Sequence, residues 1–216
     1  MTGADPDTLA RTLLRERQGA GARYDAPAAP AADLLLARRG TAYFARQLNG
    51  LSDAELDGPS AVTKQTRRQV VATVAFQARW LARLVAAARL GLDVETIVEP
   101  KLFLEHIALA ATLPAHALRY LFRHSEVHLN VEWRGLPDEG WTRTVRSLAG
   151  RSVPIDATPL MRAREIWTAA INLNGHWRPG DIPAEISGSS DRVRLHRSGG
   201  EERVLITGAK RPEARR

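Results

Sequence analysis

The sequence predicts a mainly α protein, an up-down four-helix bundle carrying a small β-hairpin. Three observations predict it. Four stretches keep apolar residues at helical spacing, turn-forming residues separate them, and the period switches to alternation only around residues 141–155 and near the C-terminus. A chain of 216 residues is long enough to bury a substantial core.

The elements follow in order. Residues 6–18 read as a short helix, and Gly19–Ala32, with two glycines and two prolines, as an extended arm. The first long helix runs from Asp33, an expected N-cap, to Leu51, with Leu36, Tyr43, Phe44 and Leu48 on one side. LSDAELDGPS is a turn-rich connection. The second helix spans Thr66–Leu90 and presents Val70, Val74, Leu81, Val85 and Ala88, and Gly91 stops it. A third helical zone between Pro100 and Arg134 breaks near Pro114, which leaves a main helix over Pro114–Arg134 with Leu118, Leu121, Phe122 and Leu129 as its stripe. TRTVRS and RSVPI, on either side of Ala149-Gly150, form a hairpin within Trp141–Ile155. The fourth long helix is Pro159–Leu173. Val193, Leu195, Val204 and Ile206 alternate across Gly199-Gly200 as two last short strands. Three regions result: an arm over 1–32, the bundle over 33–185, and a short β or α/β appendage with a basic tail over 186–216.

Composition narrows the function. Hydrophobic residues make up 44% and charged residues 25%, as in ordinary globular domains. Cysteine is absent, which excludes disulfides, thiol nucleophiles and thiolate metal sites and is compatible with a reducing cytoplasm, the expected location. No run approaches the roughly 18 apolar residues of a membrane span, and MTGADPD has neither part of a secretory signal, so no membrane partner is expected. The net charge of +7 raises nucleic-acid binding, but the excess is dispersed and partly held in the tail Lys210, Arg211, Arg215 and Arg216. With no nucleic-acid motif, it reads as solvated surface. The oligomeric state is left open.

The chemistry concentrates in MRAREIWTAAINLNG, residues 161–175. Glu165 is a carboxylate among apolar neighbours on a helix, and Asn172 stands two turns further on, close to the same face. A carboxylate on a buried helix face needs a partner, a hydrogen bond or a proton. Arg162 and Arg164 flank it and oppose the pKa rise that burial causes. On the second helix, Gln69, Thr73 and Gln77 recur every four residues and stack as a polar strip. Facing polar strips are how helical bundles build sites, and satisfied core polar groups or a solvated face are the plainer reading of the same residues. His124 and His128 have an i, i+4 spacing that suits a metal but read as surface or core histidines, and none of the six histidines forms an H-E-x-x-H pair.

Residues 33–185 resemble the mycothiol-dependent maleylpyruvate isomerase family, part of the DinB-like four-helix-bundle group. The resemblance is carried by GTAYFARQLNGLSDAELDGPS, TRRQVVATVAFQARWLARLVAAARLG and PDEGWTRTVRSLAGRSVPIDATPLMRAREIWTAAINLNG, in the family order and spacing. It implies a zinc ion held by a histidine on the second helix and by a glutamate and a histidine four apart on the fourth. Carried over, those positions are Thr73, Glu165 and Ala169, so two of the three ligands are missing. The family's P-G-W reads Thr63-Lys64-Gln65, its Val-Asp-Leu reads Ile171-Asn172-Leu173, and a polar stretch before the third helix appears as Phe103, Leu104 and His106.

A hydroxyl and a methyl cannot replace two imidazoles on zinc, so no metal and no cofactor is expected. In the family the resemblance implies that zinc activates the mycothiol sulfur, and the family's C-terminal domain looks shortened here, so a full thiol site is not expected either. What remains is Glu165 in a less polar pocket. The expected function is a metal-independent small-molecule enzyme of isomerase or cyclase type. Glu165 acts as acid or base, and Thr73, Gln77, Asn172, Phe103, His106 and Ala169 line the substrate. The alternative is a non-catalytic pseudoenzyme that binds a ligand or a partner protein.

Overall fold

The computed structural model describes residues 25–92, 100–146, 152–175 and 178–187. The expected helix over 6–18 and the strands around Gly199-Gly200 lie outside them. Four long helices dominate, as the periodicity predicts.

The first, α1, spans Ala31–Asn49. Asp33 is not its N-cap: Pro30 holds that position without a side-chain bond, and Asp33 lies inside the first turn, where its charge favours the positive helix end. The short α2, Asp53–Leu56, begins with a Ser52–Glu55 capping box. The second long helix, α3, runs Arg67–Leu90 from a Thr66–Gln69 capping box to Gly91, whose φ of 69° is the left-handed stop glycine supplies. The cap explains Gln69. Its side chain accepts from the Thr66 amide at 2.8 Å, so it serves the helix end rather than a polar strip.

Helix α4, Pro100–Ala111, lies against α3. Helix α5, Ala115–Gly135, follows Pro114. Trp141 ends a one-turn helix α6, Asp138–Trp141, instead of opening the hairpin. Its ring is 1% exposed, so it anchors the connection in the core. The hairpin is short: β1, Thr144–Arg146, pairs antiparallel with β2, Ser152–Pro154, with Val145 opposite Val153. A 3₁₀ turn leads into α7, Thr158–Asn172, and α8 covers Ala184–Ser187.

Packing is uneven around the bundle. Helices α1 and α7 pair closely, α3 pairs closely with α5, and α7 also meets α3, whereas α1 and α5 barely touch. Gly40 explains the first pair: a Cβ there would stand 2.6 Å from Ile166 and 2.7 Å from Trp167. That approach lets the Trp167 indole donate to the Leu36 carbonyl at 3.1 Å. Arg67 ties the start of α3 to the end of α7 through the carbonyls of Leu173 and Asn174, both at 2.9 Å.

Contrary to the sequence reading, one stretch is long and apolar enough by length and composition to cross a membrane. It is Arg67–Leu90. Its alanines and valines are apolar because α3 is the central helix, and 67% of the apolar window is buried inside the bundle.

Candidate functional site

The expected site residues sit on α3, α4 and α7. Glu165 projects from α7 and is half-buried. Among the described residues it makes no hydrogen bond and no ion pair within 4 Å. Burial pushes its carboxyl above the usual carboxylate range, and the Arg162 guanidinium opposes that rise. Ala169, one turn on, is buried and offers only a methyl. Thr73 on α3 donates its hydroxyl back to the Gln69 carbonyl at 2.8 Å, the usual resting bond of a mid-helix threonine.

Gln77 has a different partner from the one expected. Its carbonyl oxygen accepts from Arg162 Nη1 at 2.8 Å, and its amide donates to the Met161 carbonyl at 3.4 Å. Asn172 is half-buried, and its main-chain carbonyl accepts from the Ala61 amide at 2.8 Å, which pins the end of α7 to the loop before α3. Phe103 and His106 gather on Phe76. Phe103 meets its edge at 6.4 Å, and the exposed His106 stacks on it at 5.7 Å. Both contacts fall on Phe76, three residues after Thr73 on α3. His124 and His128 are exposed on α5, with His128 3.5 Å from Glu132, so of the surface and core readings the surface one holds.

The centre of the site is Arg162, 1% exposed between α3 and α7. Nη1 donates to the Val74 carbonyl and to Gln77, both at 2.8 Å, and Nη2 is buried with no partner. Burial lowers the pKa of Arg162 to about 10, against the pull of Glu165 and then Glu126, so it stays charged at neutral pH. Glu126, half-buried on α5, is also raised by burial, opposed by Arg162 and then Arg123. Glu126 and Glu165 are therefore two carboxylates coupled to one buried cation, with no direct ion pair to it within 4 Å.

A cavity of about 320 Å³ opens where α1 and α5 stand apart. Arg162 lines it from α7. Arg38, Thr41, Ala42 and Ala45 line it from α1, and Glu126, Leu129, Asn130, Trp133 and Arg134 from α5. Glu165, Thr73 and Gln77 are not among its walls. Sequence reasoning placed Arg162 beside Glu165 but missed its reach to α3. It missed Glu126 altogether, although that residue follows Phe122 by four and precedes Leu129 by three, on the buried stripe of α5.

The residues at the positions implied for zinc do not fit the metal. One ligand position is a buried methyl, another is a hydroxyl engaged with its own helix, and a guanidinium lies one turn from the third. Among the described residues no three histidines, aspartates or glutamates are grouped to hold an ion.

Comparison with known proteins gives a consistent picture. Residues 37–171 match the family described as mycothiol maleylpyruvate isomerase N-terminal domain. Two solved structures are similar, a mycothiol-dependent maleylpyruvate isomerase and its variant with one histidine changed to alanine. Each is 37% identical with a TM-score of 0.69, over 72% of this chain. The chain spans 65% of the length of those proteins. No curated protein matches.

Proposed function

Because the chain belongs to the mycothiol maleylpyruvate isomerase N-terminal domain family, we propose that it is a small-molecule enzyme of isomerase type that works without zinc and uses Glu165 to move a proton. The observation that carries this reading is Glu165 itself, half-buried, without a hydrogen bond or ion pair among the described residues, and raised in pKa by burial. A carboxyl group held protonated closer to neutral pH is a usable general acid, and its conjugate base a stronger base.

In this reading Glu165 transfers the proton, Asn172 and Gln77 position the substrate, Thr73 adds a weaker hydrogen bond, and Ala169, Phe103 and His106 line the substrate. Arg162 holds Gln77 in place and keeps Glu165 ionisable. The substrate is more apolar than maleylpyruvate, the protein is cytoplasmic, and neither nucleic acid nor a membrane takes part.

The test is a screen of the full chain against unsaturated and keto carboxylic acids, with and without mycothiol and a chelator. Glu165→Gln keeps shape and removes the ionisable group, so it should cost about 10²–10⁴-fold in rate. Full activity of Glu165→Gln would leave Glu165 as a remnant.

A second reading, a non-catalytic ligand-holding protein, is favoured by one observation. The cavity on the α1/α5 side is walled by Arg162 but not by Glu165.

A further inference from the structure

Helix α4 is more apolar than its packing requires. Of its 12 residues only Lys101, Glu105 and His106 have polar side chains. A helix of that composition is usually covered on all sides. Here it packs chiefly on α3, and of its described side chains only Ile107 and Ala110 are buried. Leu102, Leu104 and Leu109 are 44%, 49% and 69% exposed. The exposed side is ordered. Leu102, Glu105, His106 and Leu109 stand at i, i+3, i+4 and i+7, which places them in one stripe along the helix. From either end the stripe runs apolar, polar, polar, apolar. A two-fold axis through its middle therefore lays it antiparallel on itself, with Leu102 on Leu109 and Glu105 on His106, each contact made twice.

We propose that this face of α4 joins two copies of the chain in a symmetric dimer. Leucine meets leucine at both ends of the stripe. At its middle the Glu105 carboxylate accepts from a ring N–H of the second copy's His106. Both polar groups are available for this. The His106 ring lies nearly parallel to that of Phe76, 5.7 Å away with 19° between the planes, so its in-plane nitrogens do not point at that ring. Glu105 is held only by Lys101 at 3.9 Å, with both side chains more than half exposed. An ion pair that exposed contributes little and does not compete with a new partner.

The polar centre of the stripe selects the occupant. A lipid surface would take the leucines but leave Glu105 covered without a partner, which is costly for a carboxylate. A second α4 supplies a donor at that point and an apolar side chain at each end. Two short helices cover less than the about 800 Å² per partner of a standard interface, so the association is weak and reversible. The inference does not rest on any proton transfer at Glu165.

The test is sedimentation equilibrium of the full chain from about 1 to 300 μM, which should show a monomer–dimer equilibrium with Kd of about 10–100 μM. Leu109→Lys sets a charge against the second copy's Leu102 and should raise Kd about ten-fold or more, with the helical circular dichroism unchanged. His106→Glu alone makes glutamate face glutamate and should weaken the dimer by a similar factor. Adding Glu105→His to it rebuilds the same pair with the roles exchanged, so the double variant should return to within about three-fold of the original Kd. This exchange keeps the proposal testable if Leu109→Lys fails to fold. A chain that stays monomeric at about 300 μM would overturn the proposal, and so would a dimer that Leu109→Lys leaves intact or a double exchange that restores nothing. A monomer that co-sediments with phosphatidylglycerol vesicles, and no longer does so as Leu109→Lys, would assign the face to a lipid surface instead.

Discussion

Replacing Arg162 with methionine tests the electrostatic account of the bundle centre. The change removes a guanidinium that is 1% exposed and both of its Nη1 bonds. The Val74 carbonyl keeps its place in the helix ladder, but Gln77 Oε1 loses its donor. Glu126 and Glu165 lose the cation that holds their pKa values down. Methionine refills much of the volume, so cavity formation is a minor part of the loss. Removing one partner from a buried charge set costs about 3–5 kcal/mol. In a domain of this size that lowers Tm by ~6–20 °C, at about 2–4 °C per kcal/mol.

The pH dependence has a definite sign. Both carboxyls already sit above their ordinary values, and without Arg162 they rise further. A carboxyl with a raised folded pKa adds no penalty below its unfolded pKa of about 4.3 and a growing one as pH climbs through the folded value. The loss in Arg162→Met should therefore be larger at pH 8 than at pH 4.5, and adding Glu126→Gln and Glu165→Gln should recover much of it. Urea and thermal unfolding of the full chain at the two pH values measure this. A loss below about 1 kcal/mol at pH 8 would refute the reasoning, and so would one equal at both pH values.

Gly40→Ala should destabilise by about 1–3 kcal/mol in urea unfolding, because the new methyl meets Ile166 and Trp167 well inside contact distance and the gain in helix propensity only partly offsets it. Thr66→Ala removes the hydroxyl half of the α3 cap and should cost about 1 kcal/mol by the same measurement. Thr73→His with Ala169→His restores the missing imidazoles and should raise zinc content to about one ion per chain by elemental analysis. An unchanged zinc content would show that the backbone no longer holds those positions in ligand geometry.

The four long helices were legible because α1, α3, α5 and α7 each keep a core stripe at helical spacing, and the capping residue Thr66 and the stop Gly91 are local signals that tertiary context did not override. Asp33 misled because a favoured cap residue also stabilises the first turn, and Trp141 because an aromatic beside a hairpin signal looks like strand. Glu165 stood out as a charge on an apolar helix. Arg162 stood beside it in sequence, but which wall a long flexible side chain reaches is decided by the packing of α7 on α3. Gln69, Thr73 and Gln77 share a spacing and have three different fates: cap, back-bonded hydroxyl and guanidinium partner. The first two are settled within α3 and its cap, and only the partner of Gln77 lies beyond the helix.

The near-absence of contact between α1 and α5 has a consequence for how such a chain diverges. Where helices interlock, as at Gly40 and Trp167, almost any change must be compensated across the seam, so those positions tolerate little drift. Along the open seam, Thr41, Ala42 and Arg134 are not part of the hydrophobic core, so their exchange should disturb it little. The architecture thereby separates a tightly interlocked seam from an open one. A change of side chain on those facing turns of α1 and α5 alters the cavity between them with no change to the backbone beneath.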